Sequence, residues 1–162
     1  MLVTVGRDGA LLDRRRVELV DDELPAIPHH HEGQMLPLDA AVALVERVRA
    51  SAEKHAAIAL DAVTAAVPQI AGIALRSRPQ LPPTVAERIA DPRARNVADW
   101  VMYREALALA AKVRGWTVHW CDAKEAPALP AARCTSISTR TFCECAKPWG
   151  HRGTPITSSR WP

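Results

Sequence analysis

Phenylalanine and tyrosine are nearly missing from this sequence, with one of each in 162 residues. Any core must therefore be built from Val, Leu, Ile and Ala with a few Trp. The hydrophobic fraction of 48% is sufficient for one, and the length suits one domain. Long apolar runs are also missing. None approaches the roughly 18 residues of a membrane-spanning helix, so no membrane partner is expected. The N-terminus has no basic segment followed by an apolar one, which excludes a signal peptide from the expectation. With no sign of export, disulfides are not expected and the cytoplasm is the expected compartment. Cysteine is scarce before residue 125, where Cys121 stands alone; Cys134, Cys143 and Cys145 follow. A surplus of positive charge is missing where it would matter. Residues 1–124 carry 16 Lys and Arg against 16 Asp and Glu, so the net +3 lies wholly in residues 125–162. The composition gives the body of the chain no overall basic character for nucleic acid.

What is present in residues 1–124 has the periodicity of an α/β domain. Leu2–Val5 and Leu11–Val20 are β-rich and flank Asp8-Gly9, a hairpin signal that predicts a type I′ turn. Arg14, Arg15 and Arg16 suit a solvent-facing or edge strand. A polar connection from Asp21 to Pro37 follows, containing His29-His30-His31-Glu32. Val42, Val45, Val48, Ala52, Ala56, Leu60, Val63 and Val67 then keep a helical period over about 28 residues until Pro68. Gln69–Arg76 reads as a buried strand. Thr84 and Glu87 form a capping box, and Asp91-Pro92 starts a helix that Gly115 stops. Its predicted buried stripe is Trp100, Tyr103, Leu107, Ala110 and Ala111. Trp116–Cys121 alternates as a strand. The order β-β-α-β-α-β argues for an α/β sheet, parallel in its later part.

Near residue 125 the pattern changes. Residues 125–162 gather three cysteines, Phe142 and a Ser/Thr/Pro-rich ending, with Leu129, Ile137, Phe142 and Ile156 scattered among them. The body has 13 Arg to three Lys and abundant Ala, Val and Pro, as a GC-rich gene would encode. Back-translated with GC-leaning codons and read two nucleotides later, residues 125–162 become an amphipathic string with helix caps. Cys134, Phe142, Cys143, Cys145 and Trp149 each force a T at the second base of a shifted codon, hence an apolar residue, and those positions fall at helical spacing. The segment is expected to be an irregular or disordered tail translated out of frame; a genuine disordered tail is the other reading.

The element order resembles part of the RNase H-like fold, in the arrangement of the RuvC-type resolvases. That fold has a three-strand antiparallel meander, then helix, strand, helix, strand, helix. Residues 2–20 would supply its second and third strands and Trp116–Cys121 its last, leaving the first strand and final helix missing. Asp122-Ala123-Lys124 faintly resembles the family's region after the last strand. The resemblance spans about 120 residues and is one of layer order. It implies a three-layer domain related to Mg²⁺-dependent nucleases acting on nucleic acid, whose carboxylates hold two metal ions. The family's first Asp belongs to the missing strand, and Gln69–Arg76 carries no acid where a Glu belongs. No catalytic residue carries over. The expectation is a truncated or frameshifted, catalytically inactive relative, with no cofactor as written and Mg²⁺ only in an intact form. The other expectation is a small non-enzymatic interaction module using an exposed hairpin edge, through which it can also self-associate.

Five further groups bear on chemistry. His29, His31 and Glu32 are the candidate metal ligands, since alternate residues of an extended segment point the same way; a polar loop is the bland reading. Cys134, Cys143, Cys145 and His151 can be written as a zinc set, although their spacing fits no standard knuckle. His119, Cys121 and Asp122 stand at the C-terminal end of a strand expected to be parallel, where α/β sites gather; a half-buried strand face is the favoured reading. Arg14–Arg16 can touch phosphate, and Trp100, Tyr103, Trp116 and Trp120 can form a stacking platform. A solvated strand and core packing, respectively, are favoured.

Overall fold

A computed structural model describes residues 1–122. The expected tail and the Cys134, Cys143, Cys145 and His151 set lie outside the described residues. The chain is mixed α/β. Its elements are β1 (Leu2–Val5), β2 (Leu11–Arg15), α1 (Glu32–Met35), α2 (Leu38–Ala66), β3 (Gly72–Arg76), α3 (Val85–Ala90), α4 (Pro92–Val113) and β4 (Thr117–Cys121). Among the described residues, no helix is long and apolar enough to cross a membrane.

The hairpin forms where Asp8-Gly9 predicts it, but through a different turn. A type I′ turn needs positive φ at both central residues, and of the two only Gly9 has it (φ 83°). Gly9 N–H donates to the Gly6 carbonyl (3.0 Å) and Gly6 N–H to that of Ala10 (2.8 Å). This closes a three-residue loop with a left-handed glycine, and the ladder shifts register between Thr4 and Val5. Asp8 Oδ1 accepts the Ala10 N–H (3.0 Å), which explains an Asp at a position that needs no positive φ. β2 stops at Arg15 rather than reaching Val20. Arg15 and Arg16 bond Asp13 and Glu18 as a solvated strand does.

The long helix keeps its expected apolar face: Ala41, Val45, Val48, Ala52, Ala56, Leu60 and Val63 are buried. On α4 the expected Leu107, Ala110 and Ala111 are buried, and the stripe continues through Ala94, Ala98, Val101, Met102 and Ala106, while Trp100 and Tyr103 lie at its margin. Small side chains let α2 and α4 approach closely, and the bulky aromatics are left to the edges of that contact. The capping box is present, with Glu87 N–H donating to Thr84 Oγ1 and Thr84 N–H to Glu87. The one-turn helix α1 inside the polar connection was not expected, because four residues are too few to show a period.

The strands do not form one sheet. β1 pairs with β2 antiparallel, and β3 with β4 parallel, Gly72 facing Thr117 and Arg76 facing Cys121. Both pairs nevertheless lean on one core. Leu2, Ile73 and Val118 all pack against the cluster of Ala52, Ala56, Leu60, Ala106 and Ala110 between α2 and α4.

Candidate functional site

The histidine run splits. His29 is 1% exposed and turned inward onto α4. Asp99 Oδ1 accepts both its backbone N–H (3.0 Å) and its Nδ1–H (2.8 Å), and Oδ2 accepts the backbone N–H of His30 (3.1 Å). One turn further along the same helix, the Tyr103 hydroxyl donates to the Ala26 carbonyl (2.8 Å). Burial, and then the negative charge of Asp99, push the Tyr103 phenol up to about 12. His31 instead faces solvent, its Nδ1 3.5 Å from Glu32. His29, with its Nε2 buried and without a hydrogen-bond partner among the described residues, is thus directed to Asp99, and His31 to Glu32. No three His, Cys, Asp or Glu side chains among the described residues are grouped to hold a metal ion.

A second network fastens the chain after the hairpin to α2. Asp21 accepts from His55 Nε2 (2.9 Å) and from the Ser51 hydroxyl (2.7 Å), while its own N–H donates to Ser51 Oγ (3.0 Å). The hydrogen bond from His55, then that from Ser51, hold the Asp21 carboxyl below its ordinary value, against a smaller desolvation effect. The carboxylate stands between serine and histidine, so the histidine is not placed to take the serine's proton. A hydrolytic triad needs the histidine in the middle.

The third group lies beyond the C-terminal ends of β3 and β4. Ser77 N–H donates to the Cys121 carbonyl (2.8 Å), continuing the parallel ladder to its last residue. From there the loop toward α3 turns away, and arginines converge. Arg78 pairs with Glu105, and its guanidinium stands 5.3 Å from the ring centre of Trp120. Arg88 Nε donates to the Pro82 carbonyl (2.8 Å). Burial, then the positive charges of Arg49 and Arg78, make the Arg88 proton easier to lose than usual. Arg104 stacks on Trp100 at 4.1 Å, and burial followed by the charge of Arg76 acts on it in the same sense. Arg78, Gln80, Arg88 and Glu105 line a cavity of about 300 Å³.

The four aromatics of the expected platform therefore divide. Tyr103 and Trp116 pack against the core, while Trp100 and Trp120 carry arginines. His119 and Cys121 occupy one face of β4, opposite Ala74 and Arg76, and His119 Nε2 is buried without a partner among the described residues. Sequence reasoning missed Asp99, Ser51 and His55, along with Arg78 and Arg88. Asp99 had a visible signal, an acid set between Ala98 and Val101 on an apolar helix face. The arginines had none, because the loop brings together residues from four separate elements.

No protein-family model, curated protein or solved structure matches this chain.

Proposed function

We propose that this chain is a non-enzymatic α/β interaction module that accepts an extended strand. In this reading it is RNase H-like and an inactive relative of the Mg²⁺-dependent nucleases. The carrying observation is that β1 and β3 lean on one core yet belong to separate strand pairs. Each therefore keeps one edge whose backbone N–H and C=O groups lack a strand partner among the described residues, which is the template for strand addition. The sequences of those strands, Leu2–Val5 and Gly72–Arg76, are largely apolar, as suits strands flanked on both sides. Among the described strands the sole carboxylate is Asp13, and it is bonded to Arg15. That leaves no pair of strand acids to clamp two Mg²⁺ ions. The proposed setting is the cytoplasm, and strand addition between copies through the hairpin edge is the form open to the chain alone. Nucleic acid, the substrate of the intact relatives, ranks below a strand partner in this reading.

Amide hydrogen exchange tests the reading directly. In the isolated monomer, the outward-facing amides of β1 and β3 should exchange rapidly while those within each pair are protected. Protection of both edges in a dilute monomer would show the site closed and sink the proposal. Incubation with duplex and branched DNA in Mg²⁺ should give no cleavage, and cleavage abolished by chelation would reinstate an enzyme.

A further inference from the structure

The arginine cavity beyond β3 and β4 is independent of the strand edges and does not rest on the reading above. The geometry points to a small phosphate-bearing ligand bound between Arg78 and Arg88, with Glu105 as the side chain it displaces.

Three observations converge on this. The first is charge. Arg78 and Arg88 line the same cavity, the charges of Arg49 and Arg78 both act on Arg88, and the nearby carboxylates are Glu46 and Glu105. Glu46 is already paired with Arg49, and Glu105 with Arg78. Arg88 has no carboxylate ion-pair partner among the described residues; its Nε–H donates to the Pro82 carbonyl. That bond fixes the stem of the guanidinium and leaves its terminal nitrogens to another acceptor. The second is chemistry. Guanidinium groups present paired N–H donors whose spacing matches two oxygens of a phosphate, and an anion there would offset the positive charges that act on Arg88. Gln80, on the same wall, adds an amide donor. The third is place. The cavity opens where the loops leave the carboxyl ends of a parallel strand pair, the position at which α/β sheets take ligands.

A small ligand is favoured over a nucleic-acid strand by size and by field. A space of about 300 Å³ suits a diphosphate or a compact phosphate ester. A polynucleotide needs cations spread along a groove. Elsewhere on the described surface Arg15, Arg16 and Arg114 are paired with Asp13, Glu18 and Asp61.

The test is calorimetric titration of the full chain with inorganic pyrophosphate at fixed ionic strength, with a thymidine dodecanucleotide as a second titrant. Saturable one-to-one binding of pyrophosphate is expected. Arg88→Gln and Arg78→Gln should each weaken it about tenfold or more, the loss of one charge-assisted contact. Glu105→Gln should tighten it, because the competing carboxylate is gone. Arg78 is half exposed, so its variant should fold even if Arg88→Gln does not. Trp120 fluorescence should change on binding in the parent and not in Trp120→Phe, since Arg78 stands over that ring. Absence of saturable binding overturns the proposal. So does binding that Arg78→Gln leaves unchanged, or binding of the dodecanucleotide without pyrophosphate.

Discussion

A single buried carboxylate holds the connection between the hairpin and α2. Asp99 takes three hydrogen bonds from His29 and His30, two of them from backbone N–H groups that have no strand or helix ladder to satisfy them. Replacing it with Ala would strand those donors in a site closed to water. The expected cost is about 3 kcal/mol, from two or more unsatisfied buried groups. Chemical denaturation of Asp99→Ala against the parent measures it, and a loss below about 1 kcal/mol would mean that water reaches His29. Tyr103 tests the same contact by titration. It is the chain's single tyrosine, so its ultraviolet absorbance change reports one group. The midpoint should lie near 12 rather than 10. The sign follows from linkage: the unfolded chain releases this proton first, so stability falls as pH rises from 10 toward 12. A midpoint at 10 would mean that the phenol stands in solvent, away from Ala26.

Among the elements, the parallel pair depends on a glycine at its first rung. A Cβ on Gly72 would lie 2.5 Å from the Thr117 carbonyl oxygen, a backbone atom that cannot swing aside. Gly72→Ala should therefore open the start of the β3–β4 ladder at a cost of about 2 kcal/mol, typical of overpacking. Thermal melting reads this as a fall of roughly 5–10 °C; an unchanged melt would show that the strands part without loss. The Asp21 network joins the chain beyond the hairpin to α2 and is sensitive to acid. Its carboxyl is held below 3.8, so its contribution is full above that value and is lost as pH falls through the lower folded value. Asp21→Asn should be less stable than the parent at pH 6, and the two melts should converge as acid protonates the Asp21 carboxyl. A gap that persists in acid would assign the effect to shape rather than charge. Elements with long periods or strong punctuation were legible in the sequence: α2 by its apolar spacing, α3 by Thr84 and Glu87, and the end of α4 by Gly115. The arginine cavity and the Asp99 contact were not. They depend on which loops meet, and neither periodicity nor local propensity carries that information. The marginal place of Trp100 and Tyr103 on α4 has the same origin, since alanines outrank tryptophan where two helices must come close.

At the scale of the whole described fold, the two long helices α2 and α4 carry two short strand pairs against one shared core. Two-stranded sheets are marginal alone and gain stability from the core beneath them. That core is rich in alanine and poor in aromatics, so each buried side chain contributes little area and the strands receive limited support. The hairpin is the weaker pair. Leu11 and Leu12 at the start of β2, beside the turn, are 60% and 53% exposed. Apolar side chains next to an open strand edge favour pairing with another such edge, because the same contact satisfies the backbone and removes apolar surface from water. Self-association that increases with concentration is therefore expected for the chain alone, and sedimentation velocity over a hundredfold concentration range measures it. Replacing Leu11 and Leu12 together with Lys should suppress it, since like charges would face one another across the joined edges. The melting temperature of the dilute protein should change little, because neither leucine is buried. If the double variant associates as the parent does, the hairpin is not the contact, and the outer edge of β3 becomes the surface to block next.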